Sequence, residues 1–161
     1  MPPPEGVVKV NVDASISEHG WIGLGVVARN QEGDVLFAAT RRVQARWAPA
    51  VAEAKALVLA MTLAKTHNLD RVIFEADCEV VVNRLVKGVA ELTELDGILN
   101  VASALISCFS SITWSHVKRD GNVVAHTLAR VIPFGTQQVW DLGIPSEISP
   151  YVLMDKLSID N

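Results

Sequence analysis

The chain has 161 residues, half of them apolar and a fifth charged, enough to bury one substantial core and too few for two comfortable domains. A formal net charge of -4 argues against a protein that works by coating nucleic acid with a broadly basic surface, while leaving room for a local basic groove. No apolar run reaches the ~18 to 20 residues that span a bilayer, and "MPPPEG" has neither the basic nor the apolar region of a signal peptide, so the expected setting is intracellular, nuclear or cytoplasmic, with no membrane partner. Cys78 and Cys108 match no disulfide framework or paired metal motif and are expected to be buried thiols.

The opening prolines form a stiff segment that cannot pair as a strand centre, so residues 1–6 are expected to be a linker, which hints at a partner upstream. In "VKVNVDASI", Val8, Val10 and Val12 alternate with Lys9, Asn11 and Asp13, the period of a strand with one face in a core. Strands are predicted over 7–13, 21–29 and 35–42, with a hairpin turn at "RNQEGDV", where Asn30, Gly33 and Asp34 are good turn residues. They should form an antiparallel meander.

From Pro49 the period changes. Val51, Ala54, Val58 and Met61 recur at helical spacing among strong helix formers, and Pro49 suits a first turn. "DRVIFEAD" then reads as a strand, "CEVVVNRLVKG" as a helix stopped at Gly88, 95–109 as a further helix, "ITWSHV" as a strand and "NVVAHTLARVI" as a helix halted by Pro133. The order βββαβααβα implies an α/β fold with a mixed sheet and helices on its faces, a domain over 7–135. The tail over 136–161 carries Trp140, Ile144 and Ile148 between prolines, and its pattern is compatible with either an extended packed arm or a loose one.

Three acids stand where elements begin or end. Asp13 closes the first strand, Asp77 closes the fourth, and Glu53 lies early in the alanine-rich helix. Each has a structural explanation alone: a turn residue, a helix N-cap, and a carboxylate favoured by the helix dipole. Together they acquire another, because neighbouring parallel strands bring their carboxyl ends to one edge, where α/β sheets bind ligands. Clustered carboxylates repel unless protonated or holding cations, and oxygen-only donors select Mg2+ or Mn2+.

Asp13 in "KVNVDAS", the glycine-spaced "GWIGLGVVARN", Glu53 in "AEAKAL", Asp77 in "VIFEADCEVVVNRL" and "SHVKRDGNVVAHTLAR" together resemble the ribonuclease H family across residues 6–132. The resemblance is greatest to the plant reverse-transcriptase-associated branch of non-LTR retrotransposon polyproteins. It implies a ribonuclease H-like fold, a five-stranded mixed sheet of order 3-2-1-4-5, and cleavage of the RNA strand of RNA/DNA hybrids with two Mg2+ or Mn2+ ions. It implies Asp13, Glu53 and Asp77 as metal-binding acids, a possible upstream reverse transcriptase domain, and a monomer.

The sequence departs from that family where a fourth acid is usual. The segment "NVVAHTLA" puts His126 there, a side chain that can ligate a transition ion but brings no negative charge. His126 is therefore a candidate catalytic and metal residue whose presence is expected to weaken activity or shift it towards Mn2+. In the loop "KRDGN", Asp120 is expected to make a turn with Gly121. Ser15, Lys118 and Arg119 are the candidates for substrate contact, in place of the basic protrusion that bacterial members use. Glu75, on the same strand face as Asp77, is either support for the site or a structural acid. Arg41, Arg42 and Arg46 could meet phosphates or be ordinary solvated charge. The four tryptophans are expected to pack in the core or at an edge, with Trp114, on the central part of a strand, in the core, and the glycines of "GWIGLG" to mark strands that cross closely. A contrasting reading is a retrotransposon-derived ribonuclease H-like module that binds nucleic acid with weak or no catalysis.

Overall fold

A computed structural model describes residues 2–88, 93–131 and 136–141. Its elements are β1 (Val8–Ile16), β2 (Trp21–Arg29), β3 (Val35–Gln44), α1 (Pro49–Thr66), β4 (Arg71–Ala76), α2 (Glu79–Lys87), α3 (Glu94–Leu105), β5 (Ser111–His116), α4 (Val123–Arg130) and β6 (Gln137–Asp141), in the order the sequence predicts until β6. The sheet runs β5-β4-β1-β2-β3-β6. β1, β2 and β3 form the antiparallel meander, turned at Gly33 with φ of 81°, while β4 lies parallel to β1 and β5 parallel to β4.

Five strands stand as expected, and a sixth comes from the stretch assigned to the tail. Residues 137–141 pair antiparallel with the outer edge of β3, so that β3 ceases to be an open edge. Trp140 and Val139 pack inward there, and His67, at the end of α1, holds Asp141 at 2.5 Å while stacking on Phe37. The last twenty residues of the tail lie outside the described residues. At the opposite edge, Trp114, mid-strand in β5, packs against the core as expected but is only half-buried, because β5 is the outermost described strand; it stacks on Phe74 with ring centroids 5.6 Å apart.

The sheet is covered on both faces, which corrects the one-sided reading of β1. Val10 and Val12 point into the main core beneath α1, together with Leu24, Val26, Phe37 and Phe74. Asn11 and Asp13, on the other face, are also buried, at 1% and 4% exposure, because α4 crosses there. Alternation therefore sorts this strand into an apolar and a polar buried face, not a buried and a wet one. α1 supplies small residues, among them Ala52, Ala54, Ala56, Ala60 and Ala64, all buried, which let its backbone approach the sheet and α3 closely.

The glycines of β2 serve a helix rather than a neighbouring strand. A Cβ on Gly23 would lie 1.7 Å from the carbonyl oxygen of Ala129, and one on Gly25 would lie 2.2 Å from that of Ala125. α4 thus rests directly on the backbone of β2. Gly25→Ala is expected to push α4 off the sheet and cost about 3 kcal/mol, measurable by denaturant unfolding, since backbone cannot yield as a side chain can. An unchanged midpoint would show that α4 has room to shift. Cys78 is half-buried and Cys108 exposed, so the expectation of two buried thiols fails for Cys108, which follows α3 in a short solvent-facing 3-10 turn. Among the described residues no helix is long and apolar enough to cross a membrane.

Candidate active site

Strand register builds the site. Val12 stands opposite Ala76 in the parallel pair of β1 and β4, so the next residues along stand side by side: Asp77 just past the end of β4, and Asp13 still within β1, which continues to Ile16 paired with β2 instead of closing at Asp13 as expected from the sequence. The α1 helix begins at Pro49 and crosses the same edge, and Glu53 reaches the pair from just beyond its first turn. One ligand oxygen from each of Asp13, Glu53 and Asp77 lies within 4.8 Å of the others. Asp77 is not consumed as a helix cap: α2 is capped by Cys78 with no side-chain hydrogen bond. A cavity of about 420 Å³ opens over the three acids, walled by Ile16, Pro49, Cys78 and Arg119.

The electrostatics of this cluster are unfavourable in the absence of a counter-charge. Burial, then the charges of Asp13 and Asp77, push the Glu53 carboxyl up to about 9. Burial, and next the Asp77 charge, raise Asp13, against the hydrogen bond from His126. Glu53 Oε1 is buried with no hydrogen-bond partner, a deficit worth about 1–3 kcal/mol. A cation answers all three observations at once. Oxygen-only donors in a partly open cavity suit a hard divalent ion that keeps some of its water, and the neighbouring Cys78 thiol, pushed up by its burial, does not add a thiolate. The residues present therefore fit Mg2+ or Mn2+.

His126 lies at this site in a particular way. Its Nδ1 is 2.7 Å from Asp13 Oδ2, a contact that, with Asp13 ionised, is an N–H donated to the carboxylate. The histidine thus meets the cluster through Asp13 and is not among the group whose ligand atoms converge. Arg119 Nε stands 3.8 Å from Asp77 Oδ2 and is 81% exposed, a loose cation at the cavity rim. Ser15 faces a neighbouring cavity beside Trp21 and Arg42, and Lys118 is exposed ahead of the 3-10 turn Arg119–Gly121, lining neither. Asp120 sits in that turn, as expected. Glu75 belongs to a polar network with Lys9, Asn11 and Ser115, which makes it structural.

Asn122 was not singled out from the sequence. It is 1% exposed, donates to the carbonyl of Val12 at 2.8 Å and accepts from Asn11 at 3.0 Å. These bonds tie the start of α4 to the strand that carries Asp13, one helical turn before His126. The available signal was an asparagine at a helix start, four residues ahead of a site candidate.

The sequence matches the reverse transcriptase-like family over residues 11–132. Among curated proteins, none matches it. Among solved structures, ribonuclease H1 of the halophilic archaeon Halobacterium salinarum is 22% identical, with a TM-score of 0.70 over 76% of this chain and 93% of that one. The LC11 ribonuclease H1, from compost, solved with an RNA/DNA hybrid, is 22% identical, with a TM-score of 0.64 over 75% of this chain and 92% of its own. A foamy viral protease-reverse transcriptase, also solved with a hybrid, is 17% identical, with a TM-score of 0.62 over 77% of this chain and 19% of its own. The match covers most of the chain and spans the elements that deliver all three acids, and with the structural similarity it establishes that this protein belongs to the reverse transcriptase-like family, with a ribonuclease H-like fold.

Proposed function

We propose that the protein is a divalent-metal-dependent endonuclease that cuts the RNA strand of RNA/DNA hybrids. The convergence of Asp13, Glu53 and Asp77 around an unsatisfied buried oxygen carries this reading. Two hard cations held at such a site would supply activation of an attacking water on one side of a phosphodiester and charge for the leaving oxygen on the other. Asp13, within β1 and close to both other acids, would hold such ions together with them. Glu53 on α1 and Asp77 in the bend between β4 and α2 would share that role, and His126 holds Asp13 in one orientation through its Nδ1–H. Arg119 at the rim, Lys118 and Ser15 meet the substrate backbone, whose 2′-hydroxyls distinguish RNA from DNA. The hybrid-bound solved structures with the same fold support this substrate class, and the foamy viral one supports a reverse transcriptase domain as its natural companion.

A second reading keeps the fold and nucleic-acid binding without useful turnover. The observation that favours it is His126, which adds no negative charge to the cluster. Incubating a labelled hybrid with Mg2+ or Mn2+ separates the two: metal-dependent RNA fragments ending in a 3′-hydroxyl are expected, faster with Mn2+, and no product in either metal overturns the enzyme reading. The metal site has its own measurement. Saturating Mn2+, at about 100 times its dissociation constant, should stabilise the fold by ~2.7 kcal/mol, raising Tm by about 5–10 °C, and Asp77→Asn should remove most of that rise. An identical rise in the variant would show that the ion binds elsewhere.

A further inference from the structure

A second cavity, of about 360 Å³, adjoins the acid cluster on the α4 face of the sheet and is lined by Ser15, Ser17, His19, Trp21, Arg42 and Arg130 among others. Register makes it a single row. Ser15 stands opposite Gly23, and Gly23 opposite Arg42, so the three side-chain positions cross β1, β2 and β3 on one face. Gly23 lets the last turn of α4 rest on the middle of that row, which sets Arg130 beside it.

The chemistry of the lining differs from that of the acid site. No carboxylate is among its residues. Among the described residues neither Arg42 nor Arg130 is paired with a carboxylate. The Arg42 guanidinium lies over the Trp21 ring, 3.9 Å from its centroid, which holds its donors in one plane before any ligand arrives. Trp21 is itself fixed by a backbone N–H donated to Ser17 Oγ at 3.2 Å. Two guanidinium groups, two hydroxyls and an imidazole around an open cavity suit an oxyanion.

We propose that this cavity seats a backbone phosphate of the bound duplex, away from the phosphate that is cut. Ser15 is two residues beyond Asp13 on the same face, and the row to Arg42 spans two strand spacings, so the cavity centre is roughly 10 Å from the acids, far enough to receive a phosphate other than the one that is cut. The acidic cluster repels a polyanion unless it holds cations, whereas this cavity attracts one at any metal concentration. Substrate placement would then be divided: the arginine row anchors the duplex and the acids address one bond. The proposal rests on the hybrid-nuclease reading for the identity of its ligand, but not on turnover.

The experiment is binding of a labelled RNA/DNA duplex to the full chain in Ca2+ across a range of NaCl, for wild type, Arg130→Ala and Arg42→Gln. Each substitution should weaken affinity about tenfold at low salt and reduce the slope of log K against log salt by about one, with the loss in cleavage assays appearing in KM rather than kcat. Placing neutral methylphosphonates in the RNA or in the DNA strand then names the source, since the effect of Arg130→Ala should vanish only when the strand it touches is neutral. Affinity and slope within twofold of wild type would overturn the proposal, as would failure of the wild type to bind the duplex. Should Arg42→Gln unfold, Arg130→Ala, on an exposed last turn, still decides. Salt-sensitive binding that responds to both substitutions, without metal-dependent cleavage, would retain the phosphate site and overturn the nuclease reading.

Discussion

Asp13→Asn is expected to lower kcat/KM for metal-dependent hybrid cleavage by at least about 1000-fold, equivalent to ~4 kcal/mol of transition-state stabilisation, while the protein stays folded. The amide is nearly isosteric, keeps an oxygen that accepts from His126 Nδ1, and relieves repulsion among three close carboxylates. What it loses is one of the three negative charges that converge at the cluster. Unfolding curves taken alongside the kinetics identify the cause: lost activity with equal or greater metal-free stability is the expected pair. Residual activity within tenfold of wild type would mean that the cations, and hence the chemistry, are held by other residues. His126→Asp is the informative companion, because a fourth carboxylate should tighten Mg2+ binding at the same cluster.

Glu53→Gln should separate stability from function in a pH-dependent manner. Glu53 ionises at about 9 in the fold and near 4.5 when unfolded, so the folded state binds the extra proton throughout that interval. Its contribution to stability is present below about pH 4.5 and is lost as pH rises towards 9, so the metal-free protein should weaken progressively over that window. Gln cannot ionise and should flatten the dependence, leaving the variant more stable than wild type by on the order of 2 kcal/mol at pH 8, about 5 °C in Tm, and little different at pH 4.5. Cleavage should be lost at every pH, and added Mn2+ should stabilise wild type far more than the variant. A wild-type Tm that does not fall between pH 5 and 8 without metal would show that the Glu53 carboxylate is better solvated than its burial implies.

Period and punctuation carry most of the fold. The valines of β1, the Asn30 to Asp34 turn, Pro49 at the start of α1 and Gly88 after α2 each express a local preference that packing then agrees with. Where the reading of the sequence fails, the deciding partner is distant in the chain. Asn11 alternates as a solvent residue would and is buried, since α4 arrives more than a hundred residues later to cover it. Gly23 and Gly25 are small for the backbone of that same helix, Trp114 is half-buried because no described strand lies beyond β5, and residues 137–141 become a strand because the edge of β3 offers its unpaired groups.

The sequence by itself determined the candidate acids and the order of elements, since local periodicity constrains these without reference to distant contacts, whereas the pairing of β1 with β4 that makes Asp13 and Asp77 neighbours was implied by the family resemblance alone. Only the tertiary structure decided that Glu53 is buried without a hydrogen-bond partner on one oxygen, that His126 turns to Asp13, and that Ser15 and Arg42 share one row with Arg130. Burial, orientation and ionisation depend on which surfaces meet, and a one-dimensional pattern records the surfaces but not their meeting.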